Sequence, residues 1–226
     1  MTIDERRTSL KPYYYLEPMR LEDVPEVSQL DHRCFTNPWP QSAYRRELNN
    51  PEGNFYLVLR QRLPGAQIRD EDDGTGGLAR VSRWLWSDDE SGDPIVGYAG
   101  MWVRGGEAHV TTIGVAPEIR GRGLGELLFV ALLEEAVARD AEWLTLEVRV
   151  SNEQAQRLYQ KYGLTKQGVR RRYYSDNGED ADIMWSESLS DPGYLQRVER
   201  LRDKLADRLI TNGVIRARGD NADSRD

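Results

Sequence analysis

The stretch Val110-Thr111-Thr112-Ile113-Gly114-Val115 leads, through four residues, into Arg120-Gly121-Arg122-Gly123-Leu124-Gly125, and this junction decides the fold. β-Branched and apolar residues in its first part predict a strand, and the leucine- and alanine-rich run after Gly123 predicts a helix. The glycines let the backbone approach a ligand closely. The unpaired N–H groups of a helix start, together with Arg120 and Arg122, favour an anion. The sequence therefore predicts a diphosphate site at this turn.

Other families also bind phosphates at glycine-rich turns, and their spacings differ from this one. A dinucleotide-binding turn has Gly-x-Gly-x-x-Gly inside a repeating β-α-β pattern, whereas this chain has Gly-x-Gly-x-Gly and no such repeat. A Walker loop needs Gly-Lys-Ser/Thr, which this turn lacks. A glycine-rich turn that binds nothing is the remaining alternative. Two arginines beside three glycines at a helix start are hard to explain by packing alone.

Around this loop the sequence resembles the GNAT N-acetyltransferases, whose acetyl-CoA loop reads Arg/Gln-x-x-Gly-x-Gly/Ala. Arg120, Gly123 and Gly125 match that pattern. The resemblance covers roughly residues 13–62 and 94–190, and its further matching segments are 34–39, 146–152, 158–163, 171–174 and 178–181. It is strongest to the N-terminal-amine acetyltransferases of the RimI type, which acetylate the N-terminal alanine of a ribosomal protein. Archaeal-type N-terminal acetyltransferases share much of the second half and remain an alternative.

The resemblance implies the GNAT fold, an α/β (mixed α+β) class with one mixed central sheet flanked by helices. It implies acetyl-CoA as co-substrate and no metal. The implied cofactor residues are Ile113, Gly114, Val115, Arg120, Gly121, Arg122, Gly123, Leu124, Gly125, Glu126, Asn152 and Tyr159. Asn152 holds the amide arm of the cofactor or caps the next helix, or does both. Glu126 departs from the family, which often has a basic or neutral residue there, and we expect slightly weaker phosphate contacts.

Glu147 is the candidate general base. In the strand predicted over residues 143–150 it shares a face with Thr145 and Arg149. A charge inside a central strand is costly unless it is paired or functional, so an ion pair with Arg149 is the alternative. An α-amino group has a pKa of about 8 and a lysine about 10.4, so an N-terminal amine asks less of its base. A carboxylate that acts through a water suffices for it.

Tyr159 is the candidate general acid, twelve residues after Glu147 on the following helix, as in the RimI pattern. A neutral phenol can donate a proton or a hydrogen bond to a thiolate leaving group. A structural core tyrosine is the alternative. Cys34 could serve as a nucleophile in a ping-pong mechanism, but it lies on the apolar side of its predicted helix. We therefore expect Cys34 in the core and direct acetyl transfer.

The proline-rich loop after the first helix predicts one wall of a peptide site. Phe35, Pro38 and Trp39 would form this wall, with Tyr173 or Tyr174 opposite. Ordinary packing of a proline-bent loop explains the same residues equally well.

The predicted acetyltransferase domain spans residues 12–190. Within it, residues 63–93 are predicted to be a mobile insertion, because they contain two acidic, glycine-rich pieces. Residues 191–226 are predicted to be a C-terminal helical extension with a frayed tail. The apolar stripe of that helix is formed by Leu195, Val198, Leu201, Leu205 and Leu209. We expect the stripe to fold back on its own domain, away from the acetyl-CoA loop, with packing on a partner copy as the alternative.

Composition limits the other classes. The net charge of −7 argues against broad nucleic-acid binding. One cysteine allows no intrachain disulfide, no apolar run approaches membrane-spanning length, and a cytoplasmic location is expected. His32 and His109 have no partner at metal-ligand spacing and are expected to be structural. The predicted partner is a peptide or protein N-terminus, for which the resemblance implies a ribosomal protein, and the chain is expected to be a monomer or dimer. A small-amine or lysine acetyltransferase and a non-catalytic acyl-CoA-binding module remain alternatives.

Overall fold

The structure is a computed structural model that describes residues 12–62 and 92–215. Its strands in chain order are β1 (Tyr13–Pro18), β2 (Asn54–Arg62), β3 (Ile95–Arg104), β4 (Glu107–Val115), β5 (Trp143–Arg149), β6 (Thr165–Tyr174) and β7 (Glu179–Trp185). Its helices are α1 (Val24–Cys34), α2 (Gln41–Leu48), α3 (Leu124–Ala138), α4 (Glu153–Lys161) and α5 (Pro192–Thr211).

The seven strands of the described ranges form one sheet in the order β1-β2-β3-β4-β5-β7-β6. Neighbouring strands are antiparallel except β4 and β5, which are parallel. A parallel pair needs a crossover connection, and α3 supplies it between these two strands. The predicted α/β class, with one mixed sheet flanked by helices, is confirmed.

β4 and β5 separate part-way along their length. Their paired positions run from Glu107 opposite Trp143 to Val110 opposite Leu146, although β4 continues to Val115 and β5 to Arg149. A register shift in the pairing of β3 with β4 leaves one extra β4 residue beside Val110, and such a bulge bends a strand. The result is a notch that opens towards the carboxyl ends of both strands.

Helix α3 is buried on nearly all sides, with apolar residues around most of its circumference. A helix of that kind must be covered on more than one side. It packs on β3 and β4, and Leu205 and Leu209 of α5 belong to the same apolar cluster as Leu128 and Leu132 of α3. The sheet and α5 therefore share the burial of α3.

The position of α5 corrects one expectation. The helix folds back on its own domain, but it does not lie away from the glycine-rich loop. A methyl group placed on Gly123 would come within 3.1 Å of Leu209 Cδ2 and 3.4 Å of Arg208 Nη2. After α5, the Val214 carbonyl accepts a hydrogen bond of 2.9 Å from the Tyr14 N–H of β1. Of the predicted stripe, Val198, Leu205 and Leu209 are buried, and Leu195 and Leu201 are partly buried. The surface that covers the stripe is set by contacts distant in sequence.

The predicted mobile insertion lies outside the described residues, apart from Gly92 and Asp93, and so does the tail after residue 215. Within the ranges that the structure does describe, no helix is both long enough and apolar enough to cross a bilayer.

Candidate active site

The start of α3 borders a groove of about 1070 Å³. Gly121 and Gly123 adopt φ angles of 77° and 86°, a region that residues with a Cβ rarely enter. Gly123 is the N-cap of α3, so the first N–H groups of the helix follow directly on the loop. Such groups have no partner inside the helix and attract anions. The backbone of this loop is therefore shaped for a phosphate ligand.

Every predicted cofactor residue except Leu124 lines this groove. The Leu124 side chain lies in the core with its residue 1% exposed, so contact with a cofactor has to come from its backbone. Arg120 Nε donates to the Val115 carbonyl at 2.9 Å, and Arg122 Nη1 donates to the Tyr14 hydroxyl at 3.3 Å. These bonds hold both arginines beside the loop.

Asn152 has the capping role that its position predicts. Its Oδ1 accepts the Ala155 N–H at 3.1 Å at the start of α4, and Asn152 also borders the groove. Asn152 can therefore cap α4 and hold the amide arm of a cofactor in the same conformation.

Glu126 is neutralised by its neighbours instead of facing the groove as a lone negative charge. Its carboxylate accepts hydrogen bonds from Tyr162 Oη at 2.8 Å, from Arg208 Nη2 at 2.7 Å, and from Lys161 Nζ. Burial alone would raise the pKa of Glu126, but the three donors outweigh it and lower the pKa below its ordinary value. The residue is ionised and paired, so the weakening of phosphate contacts expected from its charge is offset.

A second groove, of about 820 Å³, lies on the other side of the notch between β4 and β5. It is bordered by β5 and by the loop after α1. The residues that border both grooves are Cys34, Phe35, Ile113, Asn152 and Tyr159. The two grooves therefore meet at the notch, where a reaction between ligands from either side can take place.

Glu147 lies on the second groove with its side chain 6% exposed. Its Oε2 is 3.0 Å from His109 Nε2, and its Oε1 is 2.8 Å from Arg170 Nε. Burial raises the pKa of Glu147. The His109 hydrogen bond and the nearby charges lower it by more, so the net shift is downward. The alternative ion pair with Arg149 does not form. Arg149 instead binds the side chains of the β6–β7 turn.

His109 is a site residue that sequence reasoning missed. Its ring stacks on Trp102 with centroids 4.7 Å apart, and its Nδ1 lies 2.8 Å from Thr145 Oγ1. Thr145 in turn donates to Glu107 Oε1 at 2.5 Å. His109 stands opposite Thr145 in the parallel register, two positions from Glu147 along β5. The sequence carried no signal for this contact, because a lone histidine has no spacing partner and the register is set by distant parts of the chain.

Tyr159 reaches both grooves from α4. Its ring packs against Phe129 of α3 with centroids 5.0 Å apart. Burial, followed by the nearby Tyr174, raises the pKa of Tyr159 well above its ordinary value. The phenol therefore stays protonated at neutral pH, the state that a proton donor needs. Tyr159 packs on the core, as expected of a structural tyrosine, and it also borders the notch.

The wall of the second groove consists of Phe35 and Trp39 on one side and Tyr173 and Tyr174 on the other. Pro38 is not among the residues that border the groove, and a contact between it and a substrate stays a prediction. The proline bends the loop between two helices, whereas the aromatic rings provide the surface.

The loop after α1 is joined to the β6–β7 turn across the second groove. Thr36 Oγ1 donates to Asp176 Oδ2, and Asn37 Nδ2 donates to Ser175 Oγ at 3.1 Å. The same Asp176 carboxylate binds Arg149 Nη2 at 2.8 Å. We call these contacts the loop–turn clasp. The clasp links two segments that both border the second groove.

Cys34 is half-buried and borders the junction of the grooves, so the expectation of a core cysteine is only partly correct. Its thiol donates to the Val115 carbonyl at 3.4 Å. Burial raises the pKa of the Cys34 thiol. A protonated thiol is a poor nucleophile, which agrees with direct transfer.

Three comparisons place this geometry among known proteins. A model of the acetyltransferase (GNAT) family matches residues 24–164. A Bacillus subtilis (strain 168) protein, provisionally named ribosomal protein bS18-alanine N-acetyltransferase, is 39% identical over 167 residues, or 74% of this chain and 91% of that protein. The N-alpha-acetyltransferase RimI of Mycobacterium tuberculosis (strain ATCC 25618 / H37Rv) is 34% identical over 172 residues, or 74% and 87% of the two chains.

Among solved structures, the ribosomal-protein-S18-alanine N-acetyltransferase from Escherichia coli superposes with a TM-score of 0.59 at 25% identity, over 80% of this chain and 96% of that one. The chain therefore belongs to the GNAT acetyltransferase family, and within that family it is RimI-like.

Proposed function

We propose that the protein transfers the acetyl group of acetyl-CoA to the N-terminal α-amine of a protein. The meeting of two grooves at Tyr159, with Glu147 on the second groove, carries this proposal, because it puts a candidate acid where the two binding sites meet and a candidate base in one of them. The names of the relatives make the N-terminal alanine of a ribosomal protein the first candidate substrate. A cytoplasmic location belongs to the same proposal.

The first groove fits the nucleotide end of acetyl-CoA. Its loop glycines, helix start and arginines suit phosphates, and β4 beyond Val110 has an edge that β5 does not pair with. Extended backbone of this kind can hydrogen-bond an amide-containing arm. When bound, acetyl-CoA supplies the thioester whose acetyl group is transferred.

Glu147 accepts a proton from the substrate ammonium, through a water. Its lowered pKa keeps it ionised at neutral pH, and an N-terminal amine with a pKa of about 8 needs only a mild base. The neutral amine attacks the acetyl carbonyl carbon, a C–N bond forms, and the C–S bond breaks. Tyr159 donates its phenol proton to the departing sulfur, and the second proton that the attacking nitrogen loses as the amide forms returns to the phenolate and restores it. No covalent bond to Cys34 is required.

The second groove favours a peptide over a free polyamine. Aromatic rings make up its walls, and the loop–turn clasp spans it. Carboxylates also border this groove, so the preference for a peptide rests on the aromatic rings and on the clasp, which suit an extended chain better than a flexible polycation.

The test is an acetylation assay with short peptides that differ only in their first residue, beside lysine and a panel of small amines. We expect an alanine-first peptide to give a kcat/KM at least about 100-fold above any free amine, a margin set by the neutral amine fraction and by peptide contacts. A free amine or lysine as the best acceptor would refute the proposal. Blocking the peptide's α-amine must abolish turnover.

A further inference from the structure

Helix α5 lies outside the segment that the family model matches, yet it forms part of the first groove. The matched segment ends at residue 164, and α5 begins at Pro192. Arg208, Asn212, Gly213 and Val214 border the groove together with the glycine-rich loop. The last turn of α5 packs directly on Gly123. This chain therefore adds a wall to its cofactor groove that the matched segment does not contain.

The charged group on that wall is Arg208, which shares the Glu126 carboxylate with Lys161 of α4. The Glu126 side chain is 11% exposed, whereas Arg208 is 48% and Lys161 37% exposed. A buried carboxylate thus holds two cations whose outer surfaces remain open to solvent. Fixed in this way, the cations lose little conformational freedom when they bind an anion.

The groove is strongly cationic in an acidic chain. Five cationic side chains border it, Arg120, Arg122, Arg157, Lys161 and Arg208, against one carboxylate. The whole chain carries a net charge of −7. Such a local excess of positive charge concentrates anions. Because Glu126 balances only one of its two cationic partners, one positive charge remains for an incoming anion.

The two arginines of the glycine-rich loop are already oriented by Val115 and Tyr14. A coenzyme A molecule carries a diphosphate and, separately, a 3′-phosphate on its ribose. Together these phosphates carry more negative charge than the two loop arginines can balance, and the remainder needs cations of its own.

We propose that Arg208 and Lys161, held by Glu126, form a second phosphate-binding pair for the nucleotide half of the co-substrate, so that α5 is part of the cofactor site. The proposal rests on the use of acetyl-CoA proposed above. It assigns Arg208 a binding role in addition to its contact with Glu126.

Calorimetry with coenzyme A, dephospho-coenzyme A and pantetheine tests the pair on the full chain. Arg208→Gln should weaken coenzyme A binding roughly 5- to 20-fold, the loss of a partly exposed charge-assisted bond, and leave pantetheine binding unchanged. Lys161→Gln should act in the same direction. If only coenzyme A loses affinity, the pair binds the 3′-phosphate. If coenzyme A and dephospho-coenzyme A both lose affinity, it binds the diphosphate. Both results support the proposal.

A purely structural role for Arg208 makes a different prediction. If Arg208 only neutralises Glu126, the double variant Glu126→Gln/Arg208→Gln should bind coenzyme A like the unaltered chain. If Arg208 binds phosphate, the double variant stays weak. Arg200→Gln, on an exposed position of the same helix that does not border the groove, is the matched control and should bind normally.

Normal binding by the double variant, or an equal loss for pantetheine, would overturn the proposal. Failure of the unaltered chain to bind coenzyme A at all would overturn the acetyl-CoA assignment itself. A chain that binds coenzyme A but acetylates no peptide would contradict the proposed substrate and leave the phosphate pair standing.

Discussion

His109 Nε2 lies 3.0 Å from Glu147 Oε2, and the other nitrogen of the same ring lies 2.8 Å from Thr145 Oγ1. Thr145 donates onwards to Glu107. Hydrogen-bonding groups therefore run from the notch along the paired part of β4 and β5. If Glu147 is the base, as proposed, this row offers its proton a route away from the reacting amine.

Glu147→Gln should lower kcat by about 10²- to 10³-fold, because an amide cannot accept the ammonium proton. The affinity for acetyl-CoA should stay within about twofold, since Glu147 does not border the first groove. Steady-state kinetics and calorimetry measure the two effects. Glu135→Gln, which removes a carboxylate paired with Arg139 on α3, is the control and should keep its activity. Full activity in Glu147→Gln would remove this residue from the mechanism.

His109→Gln should lower kcat about tenfold at neutral pH and change the KM of either substrate little. Glutamine keeps a hydrogen-bonding amide but cannot relay a proton between its two ends. His32→Gln changes the other histidine, an exposed residue of α1, and should have no effect. An unchanged rate in His109→Gln would show that the imidazole only packs on Trp102.

Tyr159→Phe should keep the ring packed against Phe129 and lower kcat about 10- to 100-fold, because the leaving thiolate loses its donor. The melting temperature should change little. Tyr44→Phe is a suitable control, because the buried Tyr44 hydroxyl has no hydrogen-bond partner in the described structure. Equal rates for both variants and the unaltered chain would exclude Tyr159 as the acid.

Asp176→Asn should raise the KM for the peptide several-fold and leave the KM for acetyl-CoA unchanged. The change removes the charge that binds Arg149 and weakens the bond from Thr36, so the loop–turn clasp opens. The pKa of Asp176 is lowered, first by the Thr36 hydrogen bond and then by Arg149, so the carboxylate is charged at neutral pH. Asp203→Asn on the exposed side of α5 is the comparison. A parallel rise in both KM values would mean that the clasp is not specific to the peptide groove.

Glu134→Gln should stabilise the protein, and more so as the pH rises. Burial raises the pKa of Glu134 to about 8, and its Oε2 has no hydrogen-bond partner among the described residues. In the unfolded chain this carboxyl ionises near its ordinary pKa, so the folded state loses stability as the pH rises from there to about 8. Glutamine does not ionise in either state, so Glu134→Gln does not lose stability in this way.

The melting temperature of Glu134→Gln should therefore exceed that of the unaltered chain by roughly 3 °C or more at about pH 8.5, and by little at about pH 5. Glu135→Gln, next along α3, should show no such growth with pH. A constant difference between the two pH values would contradict the ionisation argument.

Much of the fold was predictable because it depends on neighbours in sequence. The glycines around Arg122 fix a strand-to-helix turn, Gly163 ends α4, and Asn152 begins it. Alternation along β5 put Glu147 on the face of Thr145. In each case the deciding interaction spans a few residues, which a pattern can reveal.

The errors arose where contacts span the chain. Pairing of β4 with β5 brings His109 to Glu147, and nothing near either residue indicates that register. The leucine stripe of α5 indicates a buried face but not which surface covers it, and so the approach of Leu209 to Gly123 was not predicted. Trp39 and Pro38 are adjacent in sequence, yet only the tryptophan borders the groove.

The bond between Tyr14 and Val214 has a practical consequence for handling the protein. Pro12 and Val214 both border the cofactor groove, so the two ends of the described chain leave from its rim. An affinity tag joined directly before Pro12 or directly after Ile215 would begin beside the glycine-rich loop. An acidic tag there would reduce the local positive potential, and a cationic one would increase it. Coenzyme affinities measured on residues 12–215 with and without such a tag are therefore expected to differ, with a sign that follows the charge of the tag.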